Sequence, residues 1–212
     1  MPQLIVKPGE VRKLPVASGV KFECGIAYDS VPGQPDQDLD LMVVRHYGGT
    51  RSEAIFWGKK AWFRPDLGTT SKGLPWIQTP EADVTHTGDA RTGDESKKGY
   101  DETAWIEPTK APADVTRYTI VVTNWVNPAD RDPNNPPILA NAANIKFGLK
   151  QKGTANEYVV NLGDTHPFDV SAVLATIDRQ ADGSWTITNV EGGGTTDDLI
   201  AVGQKLKVNF DE

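Results

Sequence analysis

The sequence predicts an all-β fold, a sandwich of two antiparallel sheets. Three observations predict it. Apolar residues recur with period two in short runs, β-branched and aromatic residues dominate those runs, and turn residues separate them at short intervals. A half-buried strand needs that alternation, because successive side chains point to opposite faces. No segment carries a helical stripe longer than two turns.

The expected strands follow in order. Lys21 to Tyr28, Leu39 to His46 and Glu53 to Trp57 come first. Thr103 to Ile106, Val115 to Thr123, Asn144 to Leu149 and Glu157 to Leu162 come next. Val170 to Asp178, Ser184 to Val190 and Leu199 to Val208 complete the set. Pro32-Gly33, Gly48-Gly49, Pro136-Pro137 and Gly192-Gly193-Gly194 mark turns. Asp182-Gly183, between Ile177 and Trp185, reads as a tight hairpin. Val173 to Arg179 has the Ala and Leu of a helix, but it abuts that hairpin and is assigned as strand. From Lys59 to Tyr100 the alternation lapses into a long irregular stretch. Trp62, Phe63, Trp76 and Ile77 give that stretch too much apolar surface for a free tail.

A chain of 212 residues with no evident linker or repeat is expected to form one domain over 1–212. Its 22 basic and 29 acidic residues leave a net charge of −7, which argues against a nucleic-acid partner. The single Cys24 excludes an internal disulfide and a multi-cysteine metal site. No run approaches the roughly 20 apolar residues of a membrane span. Pro2 and Gly9 fall where a signal peptide needs an apolar helix, so a cytoplasmic location is expected.

Two acidic clusters carry most of the chemical information. The first runs from Tyr28-Asp29 through a Pro/Gly-rich loop to Asp36-Gln37-Asp38-Leu39-Asp40-Leu41. If Asp38 starts a strand, Asp38 and Asp40 share one face and Leu39 and Leu41 the other. The second runs from His86-Thr87-Gly88-Asp89 to Tyr100-Asp101-Glu102, with glycines that free the backbone to turn carbonyls inward. Either cluster alone reads as solvated turns. Together they suit a hard divalent cation, since Ca²⁺ takes six to eight oxygen ligands. The pattern is not an EF-hand.

These residues, in this order, resemble the TerD-type domain of tellurium-resistance and stress-response proteins. Gly25-Ile26-Ala27-Tyr28-Asp29 is similar to that family's Gly-Leu-Gly-Trp-Asp, and Asp38-Leu39-Asp40 to its Phe-Asp-Leu-Asp. Ile55-Phe56-Trp57 is similar to its Phe-Tyr-Asn, His86-Thr87-Gly88-Asp89 with Thr92-Gly93 to its His-Thr-Gly-Asp-Asn-x-Thr-Gly, and Asp101-Glu102 to its Asp-Asp-Glu. Further on, Pro112 to Val115, Ile120 to Thr123, Asn141 to Ile145 and Gly183-Ser184-Trp185 keep the family's order. The resemblance covers about 22–194. It implies a sandwich of two antiparallel sheets that binds Ca²⁺ through acidic loops. Carried over by motif, the metal ligands are Asp29, Asp38, Asp40, Asp89, Asp101 and Glu102, with a backbone carbonyl from Gly88. The chain departs from the pattern at Ala90 and Tyr100, which stand where the family has Asn and Asp. Residues 59–84 read as an insertion, and 195–212 as a C-terminal extension.

The function that follows is a non-catalytic calcium-binding module, acting by protein interaction or scaffolding in a stress response. A structural subunit of a phage virion or contractile tail is the alternative, and would place the chain in a virion. A calcium-dependent carbohydrate-binding module is a further one, with Trp62 or Trp76 as its stacking platform. Those two residues otherwise pack the insertion or form a protein interface. Trp105, Trp125 and Trp185 are expected in the core. His46, His86 and His166 are too scattered for zinc, and His86 is expected to orient backbone. No Gly-x-Ser-x-Gly elbow or Gly-Lys-Ser/Thr loop is present, so no enzyme activity is expected.

Overall fold

The computed structural model describes residues 11–14, 20–32, 37–49, 51–70, 73–88, 99–125, 134, 137–152, 157–162 and 167–194. Among them thirteen strands form. They are β1 (Val11–Leu14), β2 (Phe22–Asp29), β3 (Asp38–Tyr47), β4 (Ser52–Ile55), β5 (Phe63–Thr69), β6 (Pro75–Gln78) and β7 (Val84–His86). After them come β8 (Glu102–Ile106), β9 (Val115–Trp125), β10 (Ala143–Gln151), β11 (Glu157–Asn161), β12 (Ser171–Arg179) and β13 (Trp185–Gly194). They make two antiparallel sheets. One has the order β1-β13-β12-β9-β3-β4, the other β11-β10-β2-β8-β7-β6-β5. The molecule is thus an all-β sandwich. No helix among the described residues is long and apolar enough to cross a membrane.

The expected strands that fall on described residues are present, with ends displaced by a few residues. Val173 to Arg179 lies within β12, as strand. The expected strand from Leu199 to Val208 lies outside the described residues. The turn at Asp182-Gly183 is closed by Gln180 N–H donating to Ser184 O at 2.7 Å and Gly183 N–H donating to Gln180 O at 2.9 Å, with Gly183 at φ +78°. The irregular stretch is the main correction. Lys59 to Tyr100 contains β5, β6 and β7, which extend the seven-stranded sheet. Pro65, Gly68 and Pro75 hide β5 and β6 from a pattern search, and β7 has only three residues. The same features serve the fold. β5 is an edge strand, and Pro65, the Arg64–Asp66 ion pair and a register shift between Arg64 and Thr69 discourage another strand from adding there.

The core lies between the sheets. Phe22, Cys24, Ile26 and Tyr28 of β2 face Leu39, Leu41 and Val43 of β3, with Tyr118, Ile120 and Val122 of β9 and Phe147 and Leu149 of β10. Each such large apolar side chain contributes about 1.5–3 kcal/mol on burial. A second, smaller apolar cluster, Met42, Val44, Ala54 and Val121, occupies the other face of the six-stranded sheet. Of the three tryptophans expected in the core, only Trp185 is buried, against the Tyr118 ring at 5.5 Å. Trp125 is 39% exposed because it ends β9 beyond the sandwich. Trp105 alternates with the buried Ala104 and Ile106 and therefore faces outward. There its ring meets Trp76 at 5.5 Å and its indole N–H donates to Glu23 at 3.0 Å. Trp62 packs against the core and stands 5.7 Å from the Arg45 guanidinium.

Arg45 is a charged residue on the inner face of β3, continuing the Leu39, Leu41, Val43 series. Its guanidinium pairs with Glu53 at 2.9 Å, Glu81 at 2.8 Å and Asp83 at 2.9 Å. Asp83, fully buried, also accepts from the Tyr118 hydroxyl at 2.6 Å and the Thr79 hydroxyl at 2.5 Å. Glu53 accepts further bonds from Tyr47 and Arg51. Burial works against the carboxylate of Glu53, but the bonds from Tyr47, Arg45 and Arg51 outweigh it and bring its pKa down to about 2. This network ties β3 and β4 of one sheet to the turn before β7 of the other. Removing one partner strands the remaining buried charge. Arg45→Met is expected to destabilise the fold by about 3–5 kcal/mol, read as a lower urea midpoint. A change under about 1 kcal/mol would show that the network does not hold the sheets.

Candidate metal centre

At the opposite end of β3, the structure sorts the acidic residues into groups. Tyr28, inward at the end of β2, is the organising side chain. Its hydroxyl hydrogen-bonds to the backbone of Leu39 and feels the negative charges of Asp38, Glu102 and Asp101. Burial is the largest cause of the raised Tyr28 pKa, and those carboxylates add to it. The sequence motif contained Tyr28, but nothing in the sequence marked it as the meeting point of both acidic clusters.

Asp101 arrives just before β8 and is 3% exposed. Its backbone N–H donates to Ile26 O at 2.7 Å, and its Oδ2 accepts the Tyr28 N–H at 2.9 Å. Glu102 is 0% exposed and its Oε2 accepts the Leu41 N–H at 2.8 Å. Asp29 ends β2, where its carboxylate accepts from the Asn144 side-chain amide at 2.7 Å. Asn144 holds a left-handed backbone at φ +52°, next to a bulge in the β2–β10 pairing. Asp40 is 2% exposed. Leu39 and Leu41 face the core, so Asp38 and Asp40 share the outer side of β3, as expected from the alternation. Asp38, at the strand end, is half-buried and its charge is felt by Tyr28.

Gly88 has φ +87°, a conformation suited to glycine, and its N–H donates to His86 Nδ1 at 3.0 Å. Nδ1 accepts, so the proton sits on Nε2, which donates to Leu41 O at 3.0 Å. His86 therefore orients backbone, in agreement with the sequence reading. Asp89 and Ala90 lie outside the described residues. Among the described residues no three His, Cys, Asp or Glu side chains converge as a ready-made metal cage. The donor chemistry of the pole is nevertheless uniform: carboxylate oxygens, with no thiol or available imidazole, which matches a hard cation rather than zinc or copper.

Tyr100, in place of an acid, leaves this pole. It lies across the outer face of the seven-stranded sheet on Gly25 and Gly148, which are register partners in β2 and β10. A Cβ at Gly25 would sit 2.2 Å from the Tyr100 ring, and one at Gly148 1.6 Å from its hydroxyl. The paired glycines thus make a floor that seats the end of the second acidic loop. On the outer face of the other sheet, His46 meets Ser52 Oγ at 3.1 Å and Thr119 Oγ1 at 2.9 Å. That pair is buried, and its second nitrogen meets a hydroxyl rather than the carboxylate a catalytic triad uses.

No family model matches the chain, and no curated protein matches it. Solved structures do. A homologue of the telluride resistance protein TerD, SCO6318 from Streptomyces coelicolor A3(2), superposes with a TM-score of 0.64 at 14% identity, covering 85% of this chain and 94% of that one. The chain has a TerD-like fold. SAV2460, a protein of unknown function, agrees with a TM-score of 0.62 at 17% identity, covering 85% of this chain and 92% of its own. At such identity the likeness establishes the TerD-like architecture, and the residues must carry any further claim.

Two outcomes follow. Gly25→Ala is expected to lift Tyr100 off its floor and destabilise the protein by about 1–3 kcal/mol, measured by urea unfolding. Unchanged stability would mean that the ring moves freely. The second concerns pH. Burial lowers the pKa of His86 from 6.5 to about 4, against a smaller opposing effect of its bond to Leu41. Between those values the unfolded chain holds the extra proton, so acid favours unfolding. Stability from this group is full above pH 6.5, falls as pH drops toward 4, and falls no further below that. The loss is on the order of 3 kcal/mol. His86→Gln should flatten this part of the stability curve, leaving the share of His46, whose pKa burial and Arg117 also lower to about 4. An identical slope in the variant would contradict the assignment.

Proposed function

We propose that this TerD-like chain is a non-catalytic calcium-binding module. One observation carries the reading: the buried Tyr28 lies within electrostatic reach of carboxylates from both sheets, Asp38 of one and Asp101 and Glu102 of the other. Asp101 and Glu102 are buried, and buried like charges raise each other's energy because burial removes the water that would offset it. His86 brings no positive charge near neutral pH, because burial keeps it neutral. Ca²⁺ bound there would add positive charge beside these carboxylates. Asp38 and Asp101 would hold it, with Asp29, the carbonyl of Gly88 and Asp89 as further oxygen donors from the two acidic loops.

The residues of the chain do the rest of the work. The Tyr28 N–H fixes one oxygen of Asp101, and the bond from Asp101 N–H to Ile26 O fixes its backbone. His86 fixes the turn at Gly88. Ca²⁺ would then join the two acidic loops and make the pole a stable surface for a protein partner. A role in interaction or scaffolding within a cytoplasmic stress response rests on the resemblance to TerD-type domains.

Thermal unfolding of metal-stripped protein tests the reading. At a hundredfold excess over Kd, Ca²⁺ should add about 2.7 kcal/mol of stability. For a chain of this size that raises Tm by about 5–10 °C, and EDTA should reverse it. Asp101→Asn keeps the acceptor for Tyr28 N–H but loses the charge, and should abolish the shift. No shift in wild type with millimolar Ca²⁺ would end the calcium reading.

A further inference from the structure

β3 pairs with β9 from Asp38 to Tyr47, but with β4 only from Val43 to His46. The inner-face residues Leu39 and Leu41 therefore lie beyond the reach of β4, on a strand edge inside the molecule. Polar backbone groups in such a place need partners. Side chains of the facing sheet provide them. Glu102 Oε2 accepts the Leu41 N–H at 2.8 Å, His86 Nε2–H donates to Leu41 O at 3.0 Å, and the Tyr28 hydroxyl bonds the Leu39 backbone. Side chains of β8, β7 and β2 thus stand in for the missing stretch of β4.

We propose that Glu102 is a positioning residue, a latch that with His86 fixes the start of β3 beside Asp101, and is not itself a ligand of the cation. This inference rests on the calcium reading above. Glu102 lies on the inner face of β8 with Ala104 and Ile106, all fully buried, and pairs in register with Ile26. Its Oε2 is directed at the Leu41 amide, with His86 Nε2 only 3.7 Å away. Asp101, the preceding residue, is directed instead at the Tyr28 amide. The two carboxylates take amides of different strands, so the Asp-Glu pair divides its labour: Asp101 for the ion, Glu102 for the strand.

The test compares wild type, Glu102→Gln, Glu102→Ala and Asp101→Asn, using Ca²⁺ titration calorimetry and amide hydrogen exchange at Leu41 in metal-free protein. Glu102→Gln keeps an oxygen for the Leu41 N–H and loses only the charge. It should bind Ca²⁺ within about threefold of wild type. Glu102→Ala loses the latch and should weaken binding on the order of 10–100-fold, as loss of a residue that orients a ligand does. Its Leu41 amide should exchange at least about tenfold faster. Asp101→Asn should lose binding while Leu41 exchange stays near wild type. Glu102→Gln losing Ca²⁺ as completely as Asp101→Asn would overturn the proposal and make Glu102 a ligand. Unchanged Leu41 exchange in Glu102→Ala would also overturn it. If Glu102→Ala does not fold, binding and Leu41 exchange in Glu102→Gln decide the matter. A wild type that binds no Ca²⁺ overturns the calcium reading instead, and Leu41 exchange then decides the latch alone.

Discussion

β3 is longer than the strand that covers one of its edges, and much of the structure answers that mismatch. β4 pairs only with Val43 to His46, so the first half of β3 presents backbone groups toward the interior. Tyr28, His86 and Glu102 cross from the other sheet to meet them. Those three residues sit within the motif stretches that resemble TerD-type domains. The same stretches thus close the sandwich and hold Asp101 on the Tyr28 amide. These hydrogen bonds explain why polar residues tolerate full burial here.

The other end of β3 solves a related problem differently. There Arg45 faces inward and draws Glu53, Glu81 and Asp83 around it, with Tyr47 and Tyr118 bonded to two of those carboxylates. One pole is a cation wrapped by anions of the chain. The other is a gathering of anions for which we assign an external cation. The sandwich is pinned at both poles by polar contacts between the sheets, with apolar packing between them.

The alternation of apolar residues made the central strands legible, because β2, β3, β9 and β12 have one face on a shared core. It failed for β5, β6 and β7. These are short strands at the sheet margin, interrupted by proline and glycine, whose outer residues are apolar for local reasons such as the Trp76–Trp105 contact. The tryptophans misled for a similar reason: residue type does not fix which face of a strand is buried, and Trp105 fell on the outer one. In the site, spacing showed that Asp38 and Asp40 share the face of β3 opposite Leu39 and Leu41. Motif order gave Asp101 and Glu102 the same expected role as ligands. Only coordinates separate a carboxylate that takes the Tyr28 amide from one that takes the Leu41 amide. The role of Tyr100 was not legible either, since its seat is a pair of glycines 123 positions apart, at 148 and 25.

The central claim is that a hard cation belongs beside Tyr28. Terbium luminescence tests it most directly, because Tb³⁺ takes the same oxygen ligands as Ca²⁺ and emits when a nearby aromatic ring absorbs ultraviolet light. Titrating Tb³⁺ into metal-stripped protein should give sensitised emission that saturates, that excess Ca²⁺ removes, and that falls in Tyr28→Phe and Asp38→Asn. Emission no greater than that of Tb³⁺ in buffer would contradict the account and leave the acidic pole as a purely structural closure of the sandwich.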